Sequence, residues 1–136
     1  MKKIPYFFLA ILSLLAACAS NIVHQSGTST FARTWNGAGS YSTQSASSSQ
    51  QVSAALSRSL IKTMRIDLTP DGNAKLYMMS ANRLGKWQII EGEGKRFLQL
   101  EGFSAVPERY EVVDHNDTLL DIKTPNEQVV LQFVSK

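Results

Sequence analysis

From Thr63 to the C-terminus the apolar residues recur at every second position, and that period settles the fold class before anything else. Met64, Ile66 and Leu68 alternate with Arg65, Asp67 and Thr69. Thr69-Pro70-Asp71-Gly72 then supplies a proline that presets φ and a glycine that tolerates positive φ, so the chain reverses into Leu76-Tyr77-Met78-Met79. Asn82 to Gly85 predicts the next turn, and Lys86 to Ile90 a strand with Trp87 and Ile89 on one face. Glu91-Gly92-Glu93-Gly94 connects it to Phe97 through Leu100. A looser link at Gly102 to Pro107 precedes Tyr110-Glu111-Val112-Val113, and Asp114-His115-Asn116-Asp117 turns the chain into Leu119, Leu120 and Ile122. After a last turn at Thr124 to Glu127, Val129, Leu131 and Phe133 fall on one face, with Val130 and Gln132 on the other. With the segment near Trp35 to Tyr41, this makes about seven or eight short strands joined by antiparallel connections. Such a chain buries one face and removes its edges by closing, so the expected fold is mainly all-β: a small antiparallel up-and-down barrel. Nothing alternates strand and helix at the spacing a parallel sheet needs, and no internal repeat supports a solenoid. The interior of an eight-stranded barrel is just filled by side chains or holds one small ligand.

One stretch departs from the two-residue period. Val52, Ala55, Leu56 and Leu60 recur at helical spacing behind Ser48 and Gln51, a Ser-x-x-Gln capping box, which predicts one short helix near 49–61. Its only nearby charges are Arg58 and Lys62, so it is expected to pack over a barrel mouth.

The N-terminus carries an address. Lys2 and Lys3 precede an uncharged apolar run from Ile4 to Leu15, too short to span a bilayer comfortably, so residues 1–17 read as a cleavable signal peptide. Leu15-Ala16-Ala17-Cys18 resembles the lipobox of bacterial lipoproteins. That resemblance implies cleavage before Cys18, a diacylglycerol on its sulfur and acylation, such as a palmitate, on the new amine. Three chains amount to permanent attachment. Ala19, where an Asp is the common inner-membrane signal, implies the outer membrane. Residues 18–33 then form the lipidated cysteine and a flexible tether, and 34–136 the barrel domain, with Phe31, Trp35 and Tyr41 the first large side chains available to a core.

The layout from about 35 to 134 resembles the small lipocalin-like barrel at the N-terminus of the NlpE-type family, lipoproteins of copper homeostasis and envelope stress. The residues that carry it are Leu68-Thr69-Pro70-Asp71-Gly72, Gly85-Lys86-Trp87, Tyr110-Glu111-Val112 and Leu119-Leu120-Asp121. The family's Cys-x-x-Cys is missing from the Ser/Gln segment. The resemblance therefore implies the fold and the anchoring, and carries over no metal or redox residue.

Catalysis by a nucleophile needs a base held beside it. His24 lies in the tether, and His115 sits in a turn-rich run without a second ligand nearby, so no catalytic or metal set is expected and no cofactor. Gly37 and Gly39, like Gly92 and Gly94, lack the strand, helix and Lys of a phosphate loop. Glu91, Glu93 and Glu101 read as solvated carboxylates, with Lys95 and Arg96 completing a mixed-charge rim. Of the formal charge of +3, Lys2 and Lys3 leave with the signal, so nothing attracts nucleic acid. What remains is binding. Tyr77 and Met79 are expected to point outward together as a docking patch for an envelope protein or a small apolar ligand. A second reading has Ser80-Ala81-Asn82-Arg83 as a protruding loop that inhibits a hydrolase such as lysozyme.

Overall fold

The computed structural model describes residues 28–43, 55–56, 58–125 and 128–136. Cys18, His24, Ser48, Gln51 and Val52 lie outside these residues, as do the tether before Thr28 and the start of the expected helix.

Eight strands form one closed antiparallel barrel in which each pairs with its neighbours in sequence: β1 (Thr34–Ser42), β2 (Met64–Leu68), β3 (Asn73–Met78), β4 (Ala81–Gly92), β5 (Lys95–Glu101), β6 (Glu108–His115), β7 (Leu119–Lys123) and β8 (Val129–Val134). β8 closes on β1, where the register shifts between Gly37 and Gly39. The two-residue period does what it must in a barrel this small. Ile66, Leu68, Trp87, Ile89, Leu98, Leu100, Leu120, Ile122 and Phe133 all point inward and are buried together.

A one-turn helix, α1 (Thr28–Phe31), precedes the barrel. Phe31 is fully buried and belongs to the same core as Trp35, so the packed unit begins upstream of β1. At the other end, residues 55–56 and 58–61 are helical, in agreement with the expected position. The expected packing face differs: Leu56 and Leu60 are exposed, and it is Ile61 that enters the barrel. Gly37 explains why, because a Cβ there would stand 1.7 Å from the Ile61 carbonyl oxygen. Gly85 does the same for the β5–β6 loop, where a Cβ would meet the Phe103 ring at 2.7 Å.

The Thr69-to-Gly72 reversal is as read, with the Gly72 N–H donating to the Thr69 carbonyl at 3.0 Å. The β3–β4 turn is not. Asn82 to Gly85 lie within β4, paired with Leu76, Tyr77 and their neighbours, and the reversal comes three residues earlier, at Met79-Ser80. Asn82 and Gly85 carry turn chemistry in their composition. Gly85 instead serves the close approach of Phe103, while Met79 adopts the left-handed conformation at φ 55° that a glycine or asparagine normally supplies.

Two outer-face residues are also unlike the simple alternation. Val130 is fully buried although it is not on the core face. Tyr41, its partner across β1 and β8, reaches beyond β8 so that its hydroxyl donates to Asp121 on β7 at 3.1 Å. The Tyr41 ring thus covers the outer wall instead of joining the core.

Candidate functional site

The barrel's two ends are built from different chemistry. At the end where β3 turns into β4 and the helical residues 58–61 meet the wall, Leu56, Leu60, Met78, Met79 and Val106 are exposed. Met79, in the two-residue β3–β4 turn, is 70% exposed. Met64 and Met78 pair across β2 and β3, placing the methionines next to the segment that carries Leu60. Arg58 and Lys62 lie beside these apolar residues, and Ser80, Asn82 and Arg83 are exposed next to Met79.

The structure does not bring the sequence-derived residues Tyr77, Met79 and Arg83 together. Tyr77 is on the outer wall, with the Arg65 guanidinium 4.9 Å and the Lys75 ammonium 4.8 Å from its ring centroid. Arg65 in turn donates twice to Asp67, at 2.9 Å each. A ring engaged by two cations is not a free docking face. Arg83 donates to the Phe103 carbonyl at 2.9 Å and so ties the β5–β6 loop to the rim. Ser80 sits in the tight turn, and Ala81, Asn82 and Arg83 are strand, so the Ser80–Arg83 stretch makes no protruding loop. Arg83 and Met79 are both exposed, and with Arg83 bonded to the Phe103 carbonyl, Met79 is the apolar binding candidate of the three. Leu56, Leu60 and Met78 join it, and no sequence signal separated them from core residues because apolar periodicity looks the same on either face of a rim.

The opposite end is sealed. The Phe31 ring stacks on His115 with centroids 3.8 Å apart and planes within 10°, and the Trp35 ring meets the same imidazole edge-on at 5.9 Å. The Trp35 indole N–H donates to the Phe31 carbonyl at 2.9 Å. The Arg96 guanidinium lies 5.6 Å from the Phe31 ring, and that of Arg33 lies 5.5 Å from Trp35. Arg33 also donates to the carbonyl of Asp117 and reaches its carboxylate at 3.5 Å. Burial pushes the His115 pKa below the usual imidazole value, and the Arg96 and Arg33 charges push it the same way against the Thr30 carbonyl and Asp117. His115 is therefore a packed ring at a barrel end, while the reversal itself is made by the Asn116 side chain, which accepts from the Thr118 and Leu119 N–H groups.

The carboxylates spread out. Glu91 lies with Lys95 and Arg96 in an open hollow of about 510 Å³ beside the β4–β5 turn, and Lys95 bridges to Glu111 at 3.0 Å. Glu101 accepts from Gln99 at 2.6 Å. Asp121 is buried on the outer wall, where one oxygen accepts from Tyr41 and Gln132. Tyr110 and Glu108 share a 2.6 Å hydrogen bond, and burial followed by that carboxylate pushes the Tyr110 phenol strongly up. Among the described residues no group of three or more His, Cys, Asp or Glu is placed to hold a metal ion.

No family model and no curated protein matches the chain. Among solved structures it is similar to a DUF4847 family protein from Bacteroides vulgatus, with a TM-score of 0.51 and 12% identity over 77% of this chain and 93% of the other. At that identity the likeness concerns the barrel fold alone.

Proposed function

We propose that this chain is a non-enzymatic binding module, anchored to the bacterial outer membrane through lipid on Cys18, that docks a protein partner of the cell envelope through the apolar rim around Met79. The observation that carries the reading is Met79 itself. A non-glycine residue in the left-handed region costs about 1–2 kcal/mol, and an exposed turn relieves that cost with glycine or asparagine. Here a large apolar side chain occupies the position and stands 70% exposed. Strain retained at an exposed apolar tip favours a function for the tip. Methionine suits it, since a flexible polarisable side chain adapts to a partner's surface.

A protein partner is favoured over a small apolar ligand because the inward positions are taken by large side chains, among them Trp35, Trp87, Phe103 and Phe133. The inhibitor reading has lost the loop on which it rested. Among the described residues an enzyme reading has no assembled nucleophile and base to build on. The anchor does not depend on a membrane-crossing helix, and among the described residues none is long and apolar enough to cross.

The test has two arms. Cys18→Ser is expected to move the full chain from the membrane fraction to the soluble one and to remove the acyl mass that the wild type is expected to carry. A photo-crosslinker at Met79 in intact cells is expected to give one defined protein adduct that is lost when Leu60 and Met78 are both changed to Ser. Absence of the adduct, or its persistence in the double variant, overturns the docking reading.

A further inference from the structure

We propose that α1 is a pH-operated latch: protonation of the His115 imidazole releases the Phe31 ring and uncovers Trp35 at that end of the barrel. Four residues are far too few to hold a helix by themselves, because the first turn fixes several dihedrals for a single hydrogen bond. α1 stays in place through its contacts. Among them are the Phe31–His115 stack at 3.8 Å, the Trp35 and Arg33 N–H groups that donate to the Phe31 carbonyl at 2.9 Å, the Arg96 guanidinium over the Phe31 ring, and the His115 Nε2 approach to the Thr30 carbonyl at 3.4 Å. The ring stack and the Thr30 contact both involve one imidazole.

The charges around that ring decide what a proton does. Arg96 faces it from β5 and Arg33 from the link into β1, while Asp117 is the carboxylate supplied by the β6–β7 turn. Arg33 already engages Asp117. On the ring's own strand, an Asp114 oxygen is turned to the His115 backbone N–H at 2.8 Å. Glu91 faces Arg96 across β4 and β5. An imidazolium would thus be a third cation between two guanidinium groups, partly buried and with its one counter-charge already shared. Its attraction to the Phe31 face offsets part of this, but Arg96 already lies over that ring. The Thr30 carbonyl favours the cation, but burial and the two guanidinium groups outweigh it, so the closed latch holds neutral His115 better than the imidazolium. Its contribution is complete above the ordinary imidazole pKa of about 6.5 and falls away as the pH drops through the lower folded value.

Opening changes reach as well as exposure. Residues 28–33 lie between the barrel and the segment that leads to Cys18. On the anchoring reading proposed above, their release adds roughly 20 Å to the distance the barrel can stand from the lipid. The latch itself does not rest on that reading.

The experiment uses the full mature chain and the two tryptophan indole N–H groups, which are distinguishable in an ¹⁵N spectrum. Trp87, whose indole donates to the Thr69 carbonyl at 2.9 Å, is the internal control. Between pH 7.5 and pH 5, hydrogen exchange at Trp35, corrected for intrinsic rate, is expected to quicken about tenfold while Trp87 and the sheet amides keep their protection. His115→Phe, which keeps a ring for the stack and removes the proton, is expected to abolish the change. The proposal is overturned if Trp35 stays equally protected, if the change survives in His115→Phe, or if Trp87 loses protection in step. Should His115→Phe not fold, the wild-type His115 ring titration decides instead, since its midpoint must coincide with that of Trp35 exposure and a mismatch overturns the latch.

Discussion

The two ends of this barrel solve the same problem in opposite ways. Each strand end leaves apolar side chains at a rim where the wall no longer covers them. At the α1 end the chain folds back, drops Phe31 into the opening and stacks it on His115, so the largest rings there are fully buried. At the Met79 end the chain also folds back, and Ile61 and Phe103 enter over Gly37 and Gly85. Yet Leu56, Leu60, Met78, Met79 and Val106 are left outside. The α1 end buries its largest rings and the Met79 end leaves this group of side chains outside, although Leu84 on the β4 wall and Val113 on β6 are exposed as well. On the proposed reading the group at the Met79 end is where a partner docks.

The comparison breaks most visibly if the sealed end is emptied. Phe31→Ala removes a fully buried ring and is expected to cost about 3–5 kcal/mol. Leu60→Ala, at the open rim where the side chain is already 43% exposed, is expected to cost less than about 1 kcal/mol. Urea denaturation checks both. Equal losses would mean that the two ends are alike after all and that the rim is part of the core.

The barrel was legible because its signal is repeated. Each of the strands from Met64 onward carries its own alternation, and an error at one turn leaves the others intact. The turn between β3 and β4 shows the limit: Asn82 and Gly85 look like a reversal, whereas Met79-Ser80 has no glycine, proline or asparagine to announce it. The sealed end was hidden for a different reason. Phe31 lies in a stretch of small polar residues without a period, and only the closing of β8 onto β1 brings His115, at the end of β6, under it, 84 positions further along. Long-range pairs of that kind leave no local trace. The binding rim was half legible, since Met79 was singled out for its exposure, but its neighbours on the helical segment were read as facing inward. A helical period says that one face is apolar and does not say which neighbour that face meets.

A smaller effect separates strain from packing at the open end. Met79→Asn keeps the turn with a residue that tolerates the left-handed region, and it is expected to raise stability by up to about 1 kcal/mol in the same urea experiment. It is expected at the same time to lower the yield of the partner adduct, read with the photo-crosslinker moved to Leu60. A gain in stability with a loss of binding is what a strained functional residue gives. A loss of stability would show instead that the Met79 side chain holds the rim together, and the contrast between the two ends would weaken.

The finest test is the acid limb of the stability curve, which resolves two groups near the sealed end. Asp67 joins β1 to β2 there, accepting from Thr34 at 2.9 Å and from Arg65. Partial burial pushes its carboxyl up, but the Arg65 and Thr34 hydrogen bonds outweigh this and hold it below the ordinary carboxylate value. A depressed carboxylate stabilises the fold above its unfolded pKa of about 3.9, and the contribution disappears as the pH falls through the folded value. His115, also depressed in the fold, gives up its contribution at higher pH, starting below about 6.5. The α1 end is therefore expected to weaken in two separated steps, and Asp67→Asn to shrink only the lower one, in which the Asp71 carboxyl of the β2–β3 turn, also held below its ordinary value by hydrogen bonds, titrates too. Because Arg65, the cation that holds Asp67, is 48% exposed, the lower step is small, and circular dichroism across pH 2 to 5 is sensitive enough to see whether it shrinks. If Asp67→Asn also shifted the step near neutrality, the two groups would belong to one cooperative network, and the latch would extend from α1 into the β1–β2 pair.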